Sequence, residues 1–277
     1  MKRFAHYASL LLGIVLVVAT IWAGRNSLLA KGTETASAEP VPRVYLPFVS
    51  NFNDGFDMAN FIVGDGRLYE VWHSSDNQAR HQTQFEGERF YHTKGENSAE
   101  WEELWIDGNY VYRGTDTSPG SGLYYTLRDD GRYGSKWSPR RWQVGDIYER
   151  NPFVTFYNKS DCEVTLYGPQ QTWLLFEAYY PEYTFDSSIT VREVIVLAWL
   201  TEPDKPPEER YFYARDFGLV GWQNIKGEHS HVSEVHAPGA RPDNVREVIH
   251  CLDTGYQPSP ALADYAPFPM DPPYRAK

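Results

Sequence analysis

Glu208-Glu209-Arg210-Tyr211-Phe212-Tyr213-Ala214-Arg215-Asp216-Phe217-Gly218-Leu219-Val220-Gly221-Trp222 reads as a strand, a tight reversal and a second strand. In an extended chain Tyr211 and Tyr213 project to one side, and Phe212 and Ala214 to the other. Gly218 accepts a positive φ without steric cost, so Asp216-Phe217-Gly218 can reverse the chain, and Leu219, Val220 and Trp222 lead back. Upstream, Val191–Leu200 is the most apolar run outside the N-terminus, and the three prolines of Thr201–Pro207 make the intervening stretch a loop. These three strands predict the centre of an antiparallel sheet.

Working outward, short strands alternate with turns. Strands are predicted at Leu68–His73, Arg89–Thr93, Glu100–Ile106, Asn109–Tyr112, Gly122–Arg128, Ile147–Glu149, Phe153–Tyr157, Glu163–Tyr167, Thr172–Tyr180, His231–Val235 and Val245–Cys251. Asp107-Gly108 fits a two-residue hairpin turn, and Asp129-Asp130-Gly131 is another turn. The best helix candidate, Asn60–Val71, is interrupted by Gly64 and Gly66. The expected fold is all-β and mainly antiparallel: a curled sheet, half-barrel or sandwich with a long irregular C-terminal segment. Phe176, Trp199 and Phe212 are its candidate core. The expected organisation is a signal peptide or anchor at 1–24, a linker at 25–43, one β-rich domain at 44–256 and a proline-rich tail at 257–277.

Lys2 and Arg3 precede the apolar stretch Leu10–Ala23, and Ala36-Ser37-Ala38 fits a cleavage site. The pattern predicts export, with the bulk of the protein outside the cytoplasm, secreted or held by an uncleaved N-terminal anchor. No Cys follows the apolar stretch, which excludes lipid attachment there. The two cysteines, Cys162 and Cys251, are the expected disulfide of an exported chain. Net charge is −11, with 26 basic against 37 acidic residues and no basic stripe, which argues against nucleic-acid binding.

Phe212-Tyr213-Ala214-Arg215-Asp216-Phe217-Gly218-Leu219-Val220 resembles a strand–turn–strand pattern of bacterial envelope proteins that fold as half-open β-barrels, similar to the lipoprotein-carrier family. The resemblance covers about ten residues. It implies a curled sheet with a concave face, and binding of an apolar ligand or a lipid-linked partner. It implies no catalytic residue. Elsewhere the chain resembles uncharacterised exported bacterial β-rich proteins.

Three constellations could carry chemistry. Glu100, Glu102, Glu103 and Asp107 cluster near Trp101 and Trp105; strand parity places Trp101, Glu103, Trp105 and Asp107 on one face. Glu103 with Asp107 or Asp116 is thus the candidate acid–base pair of a secreted polysaccharide hydrolase. Edge-strand charges that blunt pairing give the same pattern without catalysis. Trp137-Ser138-Pro139-Arg140-Arg141-Trp142 sets two guanidiniums between two indoles. That arrangement suits an acidic saccharide or simple salt bridges, and Trp101, Trp105, Trp137, Arg140, Arg141 and Trp142 are the candidate ligand-binding residues. In Glu228–His236, the residues His229, His231, Glu234 and His236 are a candidate metal set. Strand parity puts His229 and His231 on one face and Glu234 and His236 on the other, so a bend is needed to unite them.

With 9 Trp and 20 Tyr and no recognisable catalytic motif, the leading expectation is a non-catalytic extracytoplasmic β-domain without cofactor. It would bind a saccharide, a lipid-like ligand or an envelope partner on an aromatic-lined concave face. The polysaccharide hydrolase and a metal-dependent enzyme at His229–His236 are the alternatives.

Overall fold

The computed structural model describes residues 55–75, 77–95, 99–120, 122–237 and 245–253. The signal or anchor segment, the linker and the proline-rich tail lie outside these residues.

Strand β1 (Phe56–Asp57) and the one-turn helix α1 (Ala59–Ile62) open the described chain. Then come β2 (Tyr69–His73), β3 (Asn77–Glu86), β4 (Arg89–Lys94), β5 (Glu100–Ile106), β6 (Tyr110–Asp116) and β7 (Leu123–Asp129). Short strands β8 (Arg132–Tyr133), β9 (Ser135–Pro139), β10 (Arg141–Trp142) and β11 (Ile147–Arg150) follow. The chain continues through β12 (Phe153–Asn158), β13 (Val164–Pro169), β14 (Thr172–Thr184), β15 (Thr190–Leu200), β16 (Glu209–Ala214), β17 (Gly218–Asn224) and β18 (His229–Val235). A second short helix, α2 (His250–Asp253), ends the described residues.

Sixteen strands form one antiparallel sheet in the order β11-β14-β15-β16-β17-β18-β2-β3-β4-β5-β6-β7-β12-β13, with β9 paired to β6 and β8 to β7. Strand β6 forks: Tyr110–Arg113 pair with β9, whereas Thr115 and Asp116 pair with β7. The sheet curls strongly. Tyr211 on β16 and Trp137 on β9 are eight strand positions apart, about 38 Å across a flat sheet, yet their rings are 5.6 Å apart. It does not close into a barrel. Among the described residues no ladder joins β9 to β11 where they meet; Arg150 Nε instead donates to the Lys136 carbonyl across the seam at 3.0 Å.

The predicted central hairpin is β16–β17. Ala214 pairs with Gly218 around a loop of Arg215, Asp216 and Phe217, in which Asp216 has φ 66° and Gly218 φ 85°. The segment after α1 grips this loop. Asp65 N donates to Asp216 O at 2.6 Å and Asp216 N donates to Asn60 O at 3.1 Å. Gly64 lies so close to the Phe217 carbonyl that no Cβ fits there. Met58, Phe61 and Ile62 thereby join Leu104, Trp137, Phe176, Ile195 and Leu197 in the main core. A second cluster joins Phe185 and Val191 of the β14–β15 hairpin to Ala214 and Val220. A third, around Trp101, Tyr124 and Tyr157, takes in Ile249 and Cys251, and the expected Cys162–Cys251 disulfide ties that end down.

Two local expectations are corrected, and the helix candidate and the unexpected strands are resolved. The hairpin turn after β5 is Gly108-Asn109, closed by Asp107 N donating to Tyr110 O, while the Asp107 carboxylate accepts from Asn109 N and Tyr110 N. Val245–Cys251 is no strand: it makes one bridge, Ala99 with Arg246, and runs into α2. Asn60–Val71 is helical only within Ala59–Ile62. Strand β3 and the short strands β1, β8, β9 and β10 lie where none was expected.

Candidate functional site

The inner face of the curl holds a cavity of about 640 Å³. The hairpin β16–β17 supplies Tyr211 and Trp222, directly paired across the two strands. Trp222 pairs with Ser230 of β18, and Ser230 with His73 of β2. Cross-strand partners project to one face, and all four line the cavity. From the far side come His81 of β3, Lys94 of β4, Glu102 of β5, Arg113 and Asp116 of β6, and Tyr125 of β7.

These charges are buried as a connected set. Arg113 lies 2.7 Å from Glu102, and its guanidinium also stacks 3.8 Å over the Trp137 ring. Burial opposes its charge, but Glu102 beside it holds the Arg113 pKa well above the usual value. Asp116 accepts from Ser118 N at 2.8 Å, Ser118 Oγ at 2.6 Å and Tyr125 Oη at 2.9 Å. Burial would raise its pKa; Lys94, Arg113 and the Ser118 hydrogen bonds outweigh burial and hold it below the usual carboxylate value. His81 Nδ1 and His92 Nε2 share a hydrogen bond of 3.1 Å. Burial first, then Lys94 and Arg113, push the His92 pKa down to about 3; burial, His92 and Lys94 put His81 well below its usual value.

A smaller cavity of about 190 Å³ adjoins the first through Arg113, Tyr125 and Tyr211, and reaches Trp137, Arg150 and Trp199. Arg150 stacks on Trp137 at 4.4 Å. Burial, then Arg113, lower its pKa to about 10.

The structure disperses the candidate hydrolase residues. Asp116 lines the cavity, but Glu102, not Glu103, accompanies it. Glu103 accepts from the Tyr133 hydroxyl and pairs with Arg89 at 3.6 Å. Asp107 caps its own turn and accepts from Tyr112 Oη at 2.7 Å. Of the candidate ligand residues, only Trp137 reaches these two cavities, while Trp101 lines a separate pocket of about 590 Å³ beside Tyr91 and Arg246. Trp101 donates through Nε1 to Glu247 O at 3.0 Å, clamping the C-terminal segment. Trp105 is sandwiched among Arg89, Tyr112 and Tyr133. Arg140 and Arg141 both pair with Asp57, and Trp142 is core. The guanidiniums at the cavity are Arg113 and Arg150 instead. Their isolated positions on separate strands carried no local signal: Arg113 meets Trp137 across the β6–β9 pair, and the curl brings Arg150 of β11 to the same indole.

The candidate metal set also divides. His236 Nε2 lies 3.2 Å from Glu70 and its Nδ1 3.9 Å from Glu234. His229 and His231 remain on one face, opposite the cavity, and meet Asp186, a residue not singled out in the sequence. One ligand atom from each of Asp186, His229 and His231 lies within 4.8 Å of the other two. A second pocket, of about 260 Å³, opens beside them. Burial lowers the His231 pKa, with Asp186 opposing.

No protein-family model matches the sequence, and no curated protein matches it. Among solved structures, a "putative lipoprotein" from Parabacteroides distasonis is similar at 8% identity with a TM-score of 0.34, spanning 64% of this chain and 99% of that one. At that TM-score the likeness goes no further than a general one.

Proposed function

We propose that the chain is an exported domain whose inner cavity binds a small saccharide or similar polyhydroxylated ligand without turning it over. The observation that carries this reading is the lining: about 640 Å³ walled by carboxylates, Lys94, Arg113, two imidazoles and the rings of Tyr125, Tyr211 and Trp222. Hydroxyl groups both donate and accept, so they satisfy a wall that offers both. Aromatic faces suit the apolar C–H faces of a sugar ring. The volume falls within the about 300–1,000 Å³ usual for small-molecule sites.

A lipid-like ligand suits this cavity poorly. Acyl chain against Glu102, Asp116 and Lys94 would strip water from charges and return no hydrogen bonds. Hydrolysis by the candidate pair is also disfavoured, since Glu103 is engaged by Tyr133 and Arg89 and Asp107 by its own turn and Tyr112, away from Asp116 in the cavity. Export is supported by the basic-then-apolar N-terminus and by the disulfide, a bond of oxidising compartments. An N-terminal anchor and an envelope partner belong to the same reading.

The test is calorimetric titration of the full chain with mono- and oligosaccharides, and separately with fatty acids. Saccharide binding is expected, weakened at least ten-fold by Trp222→Ala. Fatty-acid binding without saccharide binding refutes the proposal, and release of reducing sugar transfers the reading to the hydrolase.

A further inference from the structure

We propose that Asp186, His229 and His231 form a mononuclear site for a divalent transition-metal ion, with Zn²⁺ the best fit. Its three ligands lie on the face of β16–β18 opposite the cavity and none of them lines it; the two sites share only Trp222 and Ser230 at their borders.

The geometry is built rather than incidental. Glu193, at φ 51°, interrupts the ladder of the β14–β15 hairpin. It stands opposite Pro181, where one pair is skipped without a change of register, and the hairpin tip reaches β18. There the tip is fixed on both sides of Asp186. Phe185 stacks on the His231 ring at 6.0 Å and 14°, and Ser187 Oγ donates to Val232 O at 2.6 Å. Gly221 makes room between the two, since a Cβ there would stand 3.0 Å from the Phe185 ring and 3.1 Å from Ser230 O.

His229 and His231, two apart on one strand, project together. His229 Nδ1 lies 3.0 Å from the Gly227 carbonyl. A carbonyl only accepts, so Nδ1 carries the proton and Nε2 is left with its lone pair, the usual outer-shell arrangement of a ligating histidine. Trp72 packs against both imidazoles, at 5.7 Å and 5.2 Å. Asp186 makes no hydrogen bond or ion pair with either ring among the described residues, so all three donors remain available.

Two imidazoles and one carboxylate suit Zn²⁺, and three protein ligands leave a fourth position open. Tetrahedral donors at about 2.0–2.2 Å from the metal stand about 3.3–3.6 Å apart. The present separations lie within 4.8 Å, so binding draws the three donors slightly together. The open position faces the pocket of about 260 Å³ beside Tyr183, Phe212, Trp222 and Gln223, where water or an oxygen-bearing ligand would complete the sphere.

The test uses the full chain without affinity tag, stripped with chelator and titrated with Zn²⁺, then with Co²⁺ to read coordination from visible absorption. One Zn²⁺ per chain is expected, with a Co²⁺ spectrum of low coordination number. Asp186→Asn and His229→Ala, both at solvent-accessible positions, are expected to weaken binding at least ten-fold with unchanged circular dichroism. His236→Ala is expected to bind as the unaltered chain does. Failure of the unaltered chain to bind Zn²⁺, or an Asp186→Asn affinity within three-fold of it, overturns the proposal.

Discussion

Lowering the pH from 7 to 5 is expected to destabilise the domain through His81 and His92. An unfolded imidazole titrates near about 6.5, whereas His92 in the fold titrates at about 3 and His81 well below its usual value. The groups facing the pair are Lys94, Arg113, His73, Asp116 and Tyr69; of these only Asp116 favours a charged imidazole. Both folded pKa values are depressed. Between them and about pH 6.5 the unfolded chain binds more protons, so stability rises with pH and is lost as pH falls below 6.5. His92 contributes a slope of about 1.4 kcal/mol per pH unit. From pH 6.5 to 5 that amounts to about 2 kcal/mol, against a typical total of about 5–15 kcal/mol, and His81 adds to it in the same direction. His73 and His231, also lowered, act in the same direction. Asp116 and Asp65, lowered carboxylates, lose their contribution only below about pH 4, outside this window. Urea unfolding followed by tryptophan fluorescence at half-unit pH steps measures the slope directly. His92→Gln is expected to reduce it by about 1.4 kcal/mol per pH unit, whatever its midpoint at pH 7. A flat profile from pH 6.5 to 5, or a His92→Gln protein with the unaltered slope, would refute the reasoning.

Reducing the Cys162–Cys251 bond, which spans 89 residues, is expected to lower stability by about 4–5 kcal/mol on the chain-entropy view, read as a fall in urea midpoint with reductant. The two buried arginines should behave oppositely. Arg113→Met leaves the buried Glu102 carboxylate with Lys94 alone, at 4.0 Å, and is expected to lower stability by about 3 kcal/mol. Arg150 has no carboxylate partner among the described residues, so Arg150→Met is expected to be near neutral in the same urea assay. Gly221→Ala pushes on Phe185 and is expected to cost about 1–3 kcal/mol, while weakening Zn²⁺ binding by displacing Asp186; thermal melts and metal titration check the two effects separately.

The sheet was legible wherever one side of a strand meets hydrocarbon. Val191–Leu200 and Thr172–Tyr180 declare themselves because Leu174, Phe176, Ile195 and Leu197 are fully buried. Glu100–Ile106 emerged with its observed limits. Strand β3 stayed hidden for the converse reason. Its Gln78, Ala79 and His81 line a polar cavity, so Asn77–Glu86 lacks the apolar alternation that marks a half-buried strand. The site residues were hidden by bulges and by curl. Parity correctly paired His229 with His231, but the register shift between Val232 and Glu234 leaves His236 on Glu70. In β5 a shift between Glu102 and Leu104 accompanies the arrangement in which Glu102, not Glu103, reaches Asp116. Asp186 follows an exposed Thr184 in a hairpin tip, and nothing local says that the tip folds onto a strand three places away.

Two chemically distinct surfaces share one wall of three strands. Tyr211, Trp222 and Ser230 are directly paired and face the cavity. Phe212, Gly221 and His231, each one residue along, are directly paired and face the other way. The thinness of a single sheet makes this unavoidable: adjacent residues on one strand serve opposite faces. Substitutions at Tyr211, Phe212 or His231 therefore address one surface, whereas Trp222 and Ser230 border both the cavity and the pocket beside the histidines. A backbone shift at Gly221, where Phe185 presses from outside and Trp222 follows on the inside, is the place where the two can influence each other.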